Sequence, residues 1–322
     1  MATSERLVPA VPPRGTASLF VSCVTLCKTI IGAGVLSLPF ALRQTGLVLG
    51  LVLLLLCGAC QAYVLHLVAV CVKEQKQRGA GGANPTYYSL ALAAGLSPVL
   101  VEGAICVACF GFATSYLIVM GDLAPQITAA LVHSPPHAYA QLGADGRRRA
   151  WIALLGGGLG LPLMLLRSLK KLSFTSVIGT AGIVYVLAIT VAIACGLIPA
   201  GAMAAKPGFH WQLGFPHVDG RGNYVGALSV LSIYVFAYSC TQALPPIMAE
   251  MRDASLQNVD LLITISIAFC TLMYAGCAVA GYVAYGSQVG SDLLKFFPSS
   301  GVVSTVARLA IVIRYLPVEF LK

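Results

Sequence analysis

The sequence predicts an all-α integral membrane fold in which two of the membrane-crossing helices are interrupted part-way across. Three observations carry this reading. Hydrophobic residues make up 58% of the chain and charged residues only 10%, with a mean hydropathy of +0.87; a soluble domain carries about 25% charged residues. Apolar runs long enough to cross a bilayer, which takes about 20 residues, recur along most of the chain. Two of them, the first and the sixth, hold glycine and proline combinations that an unbroken membrane helix does not normally carry.

Residues 1–16, with Pro9, Pro12 and Pro13, read as a short disordered cytoplasmic tail, and residues 17–322 as one transmembrane domain. Eight spans are expected, at about 17–42, 46–72, 98–122, 150–166, 172–198, 224–248, 257–284 and 301–320. The first run is too long for a signal-peptide core and no small-residue cleavage site follows it, so it reads as a retained span. The fourth is short and contains Gly156, Gly157 and Gly158. With the N-terminus inside, ten basic residues fall on the cytoplasmic side and seven outside, a modest margin because Arg147, Arg148 and Arg149 fall outside. The net charge of +9 is scattered over loops, which fits topology and lipid headgroups rather than nucleic acid. Two longer connections, 125–149 and 199–223, are external in this arrangement and hold no glycosylation acceptor. Residues 86–94 read as a short cytoplasmic surface helix.

The first interruption is Lys28 to Ala41, where Gly32 and Gly34 weaken the helix and Pro39 removes a backbone donor. Backbone freed inside hydrocarbon must be satisfied by protein, water or ligand, so the stretch reads as a helix opened for binding. The alternative is a kinked packing helix whose glycines admit a close neighbour. The second interruption runs from Phe236 to Pro246. Here Ser239, Thr241 and Gln242 bring polar groups to mid-membrane just before Pro245 and Pro246. The breaks lie five spans apart, the spacing of corresponding helices in an inverted repeat with a site between them.

The stretch Lys28–Ala41 resembles the first-helix motif of the amino acid/auxin permease family. Tyr116–Pro125 is similar to that family's third-helix end, Leu169–Ser176 to the start of its fifth helix, and Phe236–Met251 to its sixth-helix motif with a central Cys and a Glu, here Glu250. The four occur in order over most of residues 16–322. The family includes sodium-coupled neutral and vacuolar amino acid transporters. The resemblance implies a LeuT-like fold of five-plus-five helices in inverted repeat, with about eight of some eleven helices present and the C-terminal part missing. An incomplete chain, a short form completed by a partner, or a protein that no longer transports would each account for that.

The resemblance also implies roles. Backbone amides of Ile31, Gly32, Ala33 and Gly34 would receive a substrate carboxylate at a half-helix N-terminus. Ser239, Cys240 and Thr241 would face its amino group or side chain, and Ser115 and Tyr116 could line the same cavity. Many sodium-coupled members carry Asn where this chain has Lys28, and His where it has Thr241. Lys28, with Thr29 beside it, is therefore the candidate ion-coupling position: its ammonium would replace a bound sodium, with proton exchange as the coupling event. The alternative is a lysine that snorkels or pairs with a carbonyl. His66 could relay a proton or be a hydrogen-bonded packing residue. Glu102 and Asp122 lie near opposite ends of the third span, while Arg308 and Arg314 point to different faces of the eighth.

No nucleophile–base arrangement, phosphate loop or metal-ligand spacing is present, so neither enzymatic activity nor a cofactor is expected. The eleven cysteines lie in or beside apolar runs. Cys57 and Cys60, and Cys106 and Cys109, read as small packing residues rather than metal or redox pairs. Taken with the resemblance, the expected function is secondary active transport of a small neutral amino acid by alternating access, proton-coupled rather than sodium-coupled. The expected membrane is vacuolar or internal, with the plasma membrane next. The other class is a membrane amino acid sensor or scaffold, or an inactive short form. The partners are then an amino acid, a coupling proton or sodium ion and the lipid bilayer, with a homo-oligomer admissible.

Overall fold

The computed structural model describes residues 15–32, 34–78, 85–132, 139, 141–160, 173–198, 217–218, 221–222, 224–297 and 302–315. The first span is two helices, α1 (Leu19–Ile30) and α2 (Gly34–Thr45), bent by 58° at the break. Next come α3 (Leu47–Arg78), α4 (Tyr87–Ala93) and α5 (Pro98–Leu131). Helix α6 (Ala144–Ile152) continues as a π-helix over Ala153–Gly160, and α7 is Ser173–Ala194. A two-residue antiparallel pair, His217–Val218 with Arg221–Gly222, precedes α8 (Tyr224–Tyr238). The sixth span then breaks at Ser239–Cys240, makes a 3-10 turn over Thr241–Ala243, and resumes as α9 (Leu244–Glu250). Helices α10 (Leu256–Tyr285) and α11 (Val302–Tyr315) follow.

Both interruptions are where the sequence places them. The surface helix is also present, and Thr86 caps it: its hydroxyl accepts from the Ser89 amide, and the Ser89 hydroxyl accepts from the Thr86 amide. Thr86→Ala should loosen α4 by about 1 kcal/mol, read as faster amide exchange over residues 87–93.

Other expectations need correcting. The third span does not end at 122, because α5 runs through Pro125 to Leu131. Side chains stabilise the turns around the proline: Gln126 donates to the Asp122 carbonyl (3.2 Å) and Thr128 to that of Ala124 (2.8 Å). The second span likewise runs on to Arg78 rather than 72, with Arg78 paired to Glu74 one turn back. The fourth span starts earlier, at Ala144, so the three arginines lie in α6 rather than in a loop. Around Gly156–Gly158 it widens into π-helix, a geometry that side-chain-free positions accommodate. Among the described residues, four helices are long and apolar enough to cross a membrane, or five with α1 and α2 counted as one span. Of the expected eight, the first, second, third, sixth and seventh are thus described as helices of crossing length. The apolar stretches Ala181–Ala194 and Val302–Val312 are shorter, and the expected fourth, fifth and eighth spans run into residues outside those described. The tail over 1–14, most of the 199–223 connection and the Arg314 side chain also lie outside the described residues.

The protein is an integral membrane protein. In the most apolar eighteen-residue stretches of α3 and α5 only 17% and 11% of residues are buried, so these helices turn apolar side chains outward, as lipid contact requires. The core is built where α10 lies beside the broken first span. Five positions on one face of α10 meet the span's backbone in order. The Ser266 hydroxyl donates to the Cys23 carbonyl (3.5 Å), the Cys270 thiol lies 4.0 Å from that of Cys27, and Tyr274 donates to that of Ile30 (2.7 Å). The Cys277 thiol reaches the Val35 carbonyl (3.7 Å), and Gly281 faces the Pro39 ring. Pro39 removes the amide that would bond Val35 four residues back, so the Cys277 thiol sits at the carbonyl that the proline frees. In the sixth span Pro245 cannot donate to the Thr241 carbonyl, which accepts from the Leu244 amide at the end of the 3-10 turn and also from the Tyr87 hydroxyl of α4 (2.6 Å).

Candidate functional site

The two breaks meet face to face. A Cβ on Gly34 would lie 2.8 Å from Ala237 Cα, so α2 and α8 cross in near backbone contact, which only glycine permits there. At the same level one buried hydroxyl joins both spans: Tyr274 lies 2.7 Å from the Ile30 carbonyl and 2.8 Å from that of Ala237. Each carbonyl belongs to the C-terminal end of a half-helix, where the peptide dipoles leave partial negative charge. A single O–H proton therefore serves two negatively polarised ends.

Beside this crossing lies a cavity of about 540 Å³. Its polar wall comes from Thr25, Thr29, Tyr116, Ser239 and Gln242, its apolar wall includes Phe112, and Glu250 is the one charged side chain in its described lining. It runs from the breaks toward the end of the bundle where Ala17 bonds to the backbone of Glu250 and Arg252. Gly32 packs on the Tyr116 hydroxyl at the cavity's inner edge: a Cβ there would come within 3.1 Å of it. Such a space, apolar with a few convergent hydroxyl and amide groups, has the composition of a small-molecule site.

Residues 15–317 match the family profile described as transmembrane amino acid transporter protein. The chain belongs to that family. It is 31% identical to vacuolar amino acid transporter 5 of Schizosaccharomyces pombe over 311 residues, covering 94% of this chain and 66% of that protein. It is 29% identical to vacuolar amino acid transporter 6 of Saccharomyces cerevisiae (92% and 62% covered). It is 25% identical to sodium-coupled neutral amino acid transporter 7 of Xenopus laevis (96% and 63% covered). The chain thus spans less than two thirds of the length of these three relatives.

In this member of the family the expected site residues divide. Thr29, Tyr116 and Ser239 line the cavity. Ile31 is buried, and its amide already donates to the Cys27 carbonyl (2.9 Å), so amide donors for an anion begin after it. Gly32 and Gly34 flank the break as described, and Ala33 lies outside the described residues. Cys240 is fully buried, and Gln61 of α3 donates to its sulfur (3.8 Å) and to the Thr241 hydroxyl (2.9 Å). Neither Cys240, Thr241, Ser115 nor Lys28 is in the described cavity wall. Lys28 is half-buried in the last turn of α1, where a cation complements the helix dipole.

Outside the cavity, His66 Nδ1 is 2.7 Å from Asp260 Oδ1, which ties α3 to α10. Glu102 is exposed, and Arg308 is buried in α11. Among the described residues no group of His, Cys, Asp or Glu is placed to hold a metal ion. Residues the sequence reading passed over are Gln61, Tyr87 and Tyr274. Their signal was present as polar groups at helical spacing, but an isolated tyrosine in an apolar run also reads as core.

Proposed function

We propose that the protein is a secondary active transporter of small neutral amino acids, built as a five-plus-five inverted repeat and working by alternating access around the cavity between its two breaks. The observation that carries this is the crossing at Gly34 and Ala237. It brings two half-helix ends to one point beside a cavity of amino acid size. The substrate carboxylate would sit at the α2 N-terminus, on amides following Ile31, with Tyr116 beside it. Its amino group would face Ser239, Gln242 and the carbonyls at the ends of α1 and α8. Membership of the family and the printed names of its relatives support amino acids as the substrate class.

The coupling ion is a proton. Lys28 near the α1 C-terminus supplies the positive charge that a sodium ion would otherwise bring there. The vacuolar names among the relatives favour an acidic internal membrane. The test is uptake of labelled neutral amino acids by the full chain in proteoliposomes, under a pH gradient or a sodium gradient. Saturable accumulation driven by the pH gradient without sodium is expected. Accumulation only with sodium overturns the proton and Lys28 reading, and binding without accumulation makes the protein a sensor.

A further inference from the structure

The end of the bundle opposite Ala17 is shut by a group of charged residues, Asp292 and Arg308 among them buried, that the amino acid cavity does not use. Asp122 of α5, its side chain 12% exposed, lies 2.7 Å from Arg148 Nε of α6 and 2.8 Å from Lys295 Nζ. Lys295 belongs to the 3-10 turn Leu293–Phe296, in the connection between α10 and α11. Asp292 caps that turn, with Oδ1 accepting from the Leu294 amide (3.1 Å). The residue is only 7% exposed, and its second oxygen, Oδ2, is buried without a hydrogen-bond partner among the described residues. The Tyr285 hydroxyl at the end of α10 is buried in the same condition.

Other elements close in on the connection. Arg308 of α11, 1% exposed, donates to the carbonyls of Leu294 (3.3 Å) and Phe297 (2.9 Å). From α2, Arg43 donates to the Val289 carbonyl (2.9 Å) and Ser37 to that of Ser291 (2.6 Å). The connection is thus held by α2, α5 and α11, and through Asp122 it reaches α6.

We propose that Asp292 is a proton-binding site that latches the 286–297 connection, taking up a proton as this end of the transporter closes and losing it as the end opens to water. A carboxylate forced into this position holds its charge on a buried oxygen without a bond, and the neutral carboxyl removes that charge, the costlier part of the burial. Burial is the main effect on Asp292 and pushes its carboxyl up from 3.8 to about 6. The Leu294 amide, Lys295 and Arg308 act against burial, and Asp122 acts with it. The closed form therefore binds the proton more tightly than a solvated aspartate does. Linkage then requires acid to favour closure, and that advantage is lost as the pH rises through about 6. With the N-terminus inside, this is the external or lumenal face. The inference rests on the alternating-access reading, since a latch needs an open and a closed state.

The test is amide hydrogen exchange over residues 286–297 in the full chain in lipid nanodiscs, corrected for intrinsic rates. Wild type should be about 10-fold better protected at about pH 5 than at about pH 7.5. Asp292→Asn, which keeps the neutral shape, should be equally protected at both. Equal protection in wild type, or a wild-type pH dependence retained by Asp292→Asn, overturns the proposal. Asp122→Asn should loosen the connection at both pH values and keep the dependence; loss of the dependence would move the proton site to Asp122 and overturn it too. Exchange needs no substrate, so failed amino acid uptake and a failed latch are separate results.

Discussion

Gly34→Ala is expected to abolish most amino acid uptake. The added methyl group would lie 2.8 Å from Ala237 Cα and 3.1 Å from its Cβ. Neither atom belongs to a flexible side chain, so the α2–α8 crossing itself must widen. Overpacking of this kind costs about 1–3 kcal/mol, enough to shift a binding equilibrium by roughly 5- to 150-fold. The strain falls on the half-helix whose first amides are proposed to hold the substrate. Initial rates of uptake in proteoliposomes measure the effect, with Gly276→Ala as the control. That methyl group would meet only Leu187 Cδ1, at an ordinary 3.9 Å. Uptake by Gly34→Ala at the level of Gly276→Ala would show that the crossing does not form the site.

Tyr274→Phe should lower both thermal stability and uptake, although it removes a single oxygen. Phenylalanine keeps the ring and its edge-on contact with Tyr238, whose centroid is 5.3 Å away, so the change isolates the hydroxyl. Two carbonyls at half-helix ends, those of Ile30 and Ala237, would then share a fully buried point without a donor. An orphaned buried acceptor costs about 1–3 kcal/mol. Tyr238→Phe is the comparison, because it removes a hydroxyl that among the described residues bonds the Thr271 side chain (2.7 Å) and leaves both breaks intact. Thermal unfolding of the purified variants should place Tyr274→Phe well below Tyr238→Phe. Equal melting would mean that the two carbonyls find another donor.

The breaks were legible because glycine and proline act locally: Gly32 and Gly34 loosen their own backbone, and Pro39, Pro245 and Pro246 restrict theirs, whatever surrounds them. The short surface helix over 86–94 was legible as well, though not the Thr86 cap that starts it. The facing of Cys240 and Thr241 was not. Where a helix unwinds, the rotation of the next residues depends on what lies behind them, and here Gln61 and Tyr87 draw the sixth span toward α3 and α4. The length of α5 was misread because Pro125 looks like a terminus until the side chains of Gln126 and Thr128 are seen bonding carbonyls near it. The pairing of Asp122 with Arg148 and Lys295 joins three distant stretches, and no local pattern announces it.

The row of contacts from Ser266 to Gly281 has a mechanical consequence. Donors at four successive levels and a proline seated on a glycine at the fifth cannot all be kept if α10 slides along the first span. The sixth span joins the same assembly through Tyr274 and through the Tyr238–Thr271 bond. The first span (α1 and α2), the sixth (α8 and α9) and α10 are in effect welded into a single lever. Any change of access that leaves these bonds whole must swing that lever against α5, α7 and α11, and the hinge must lie in the segments joining the two groups.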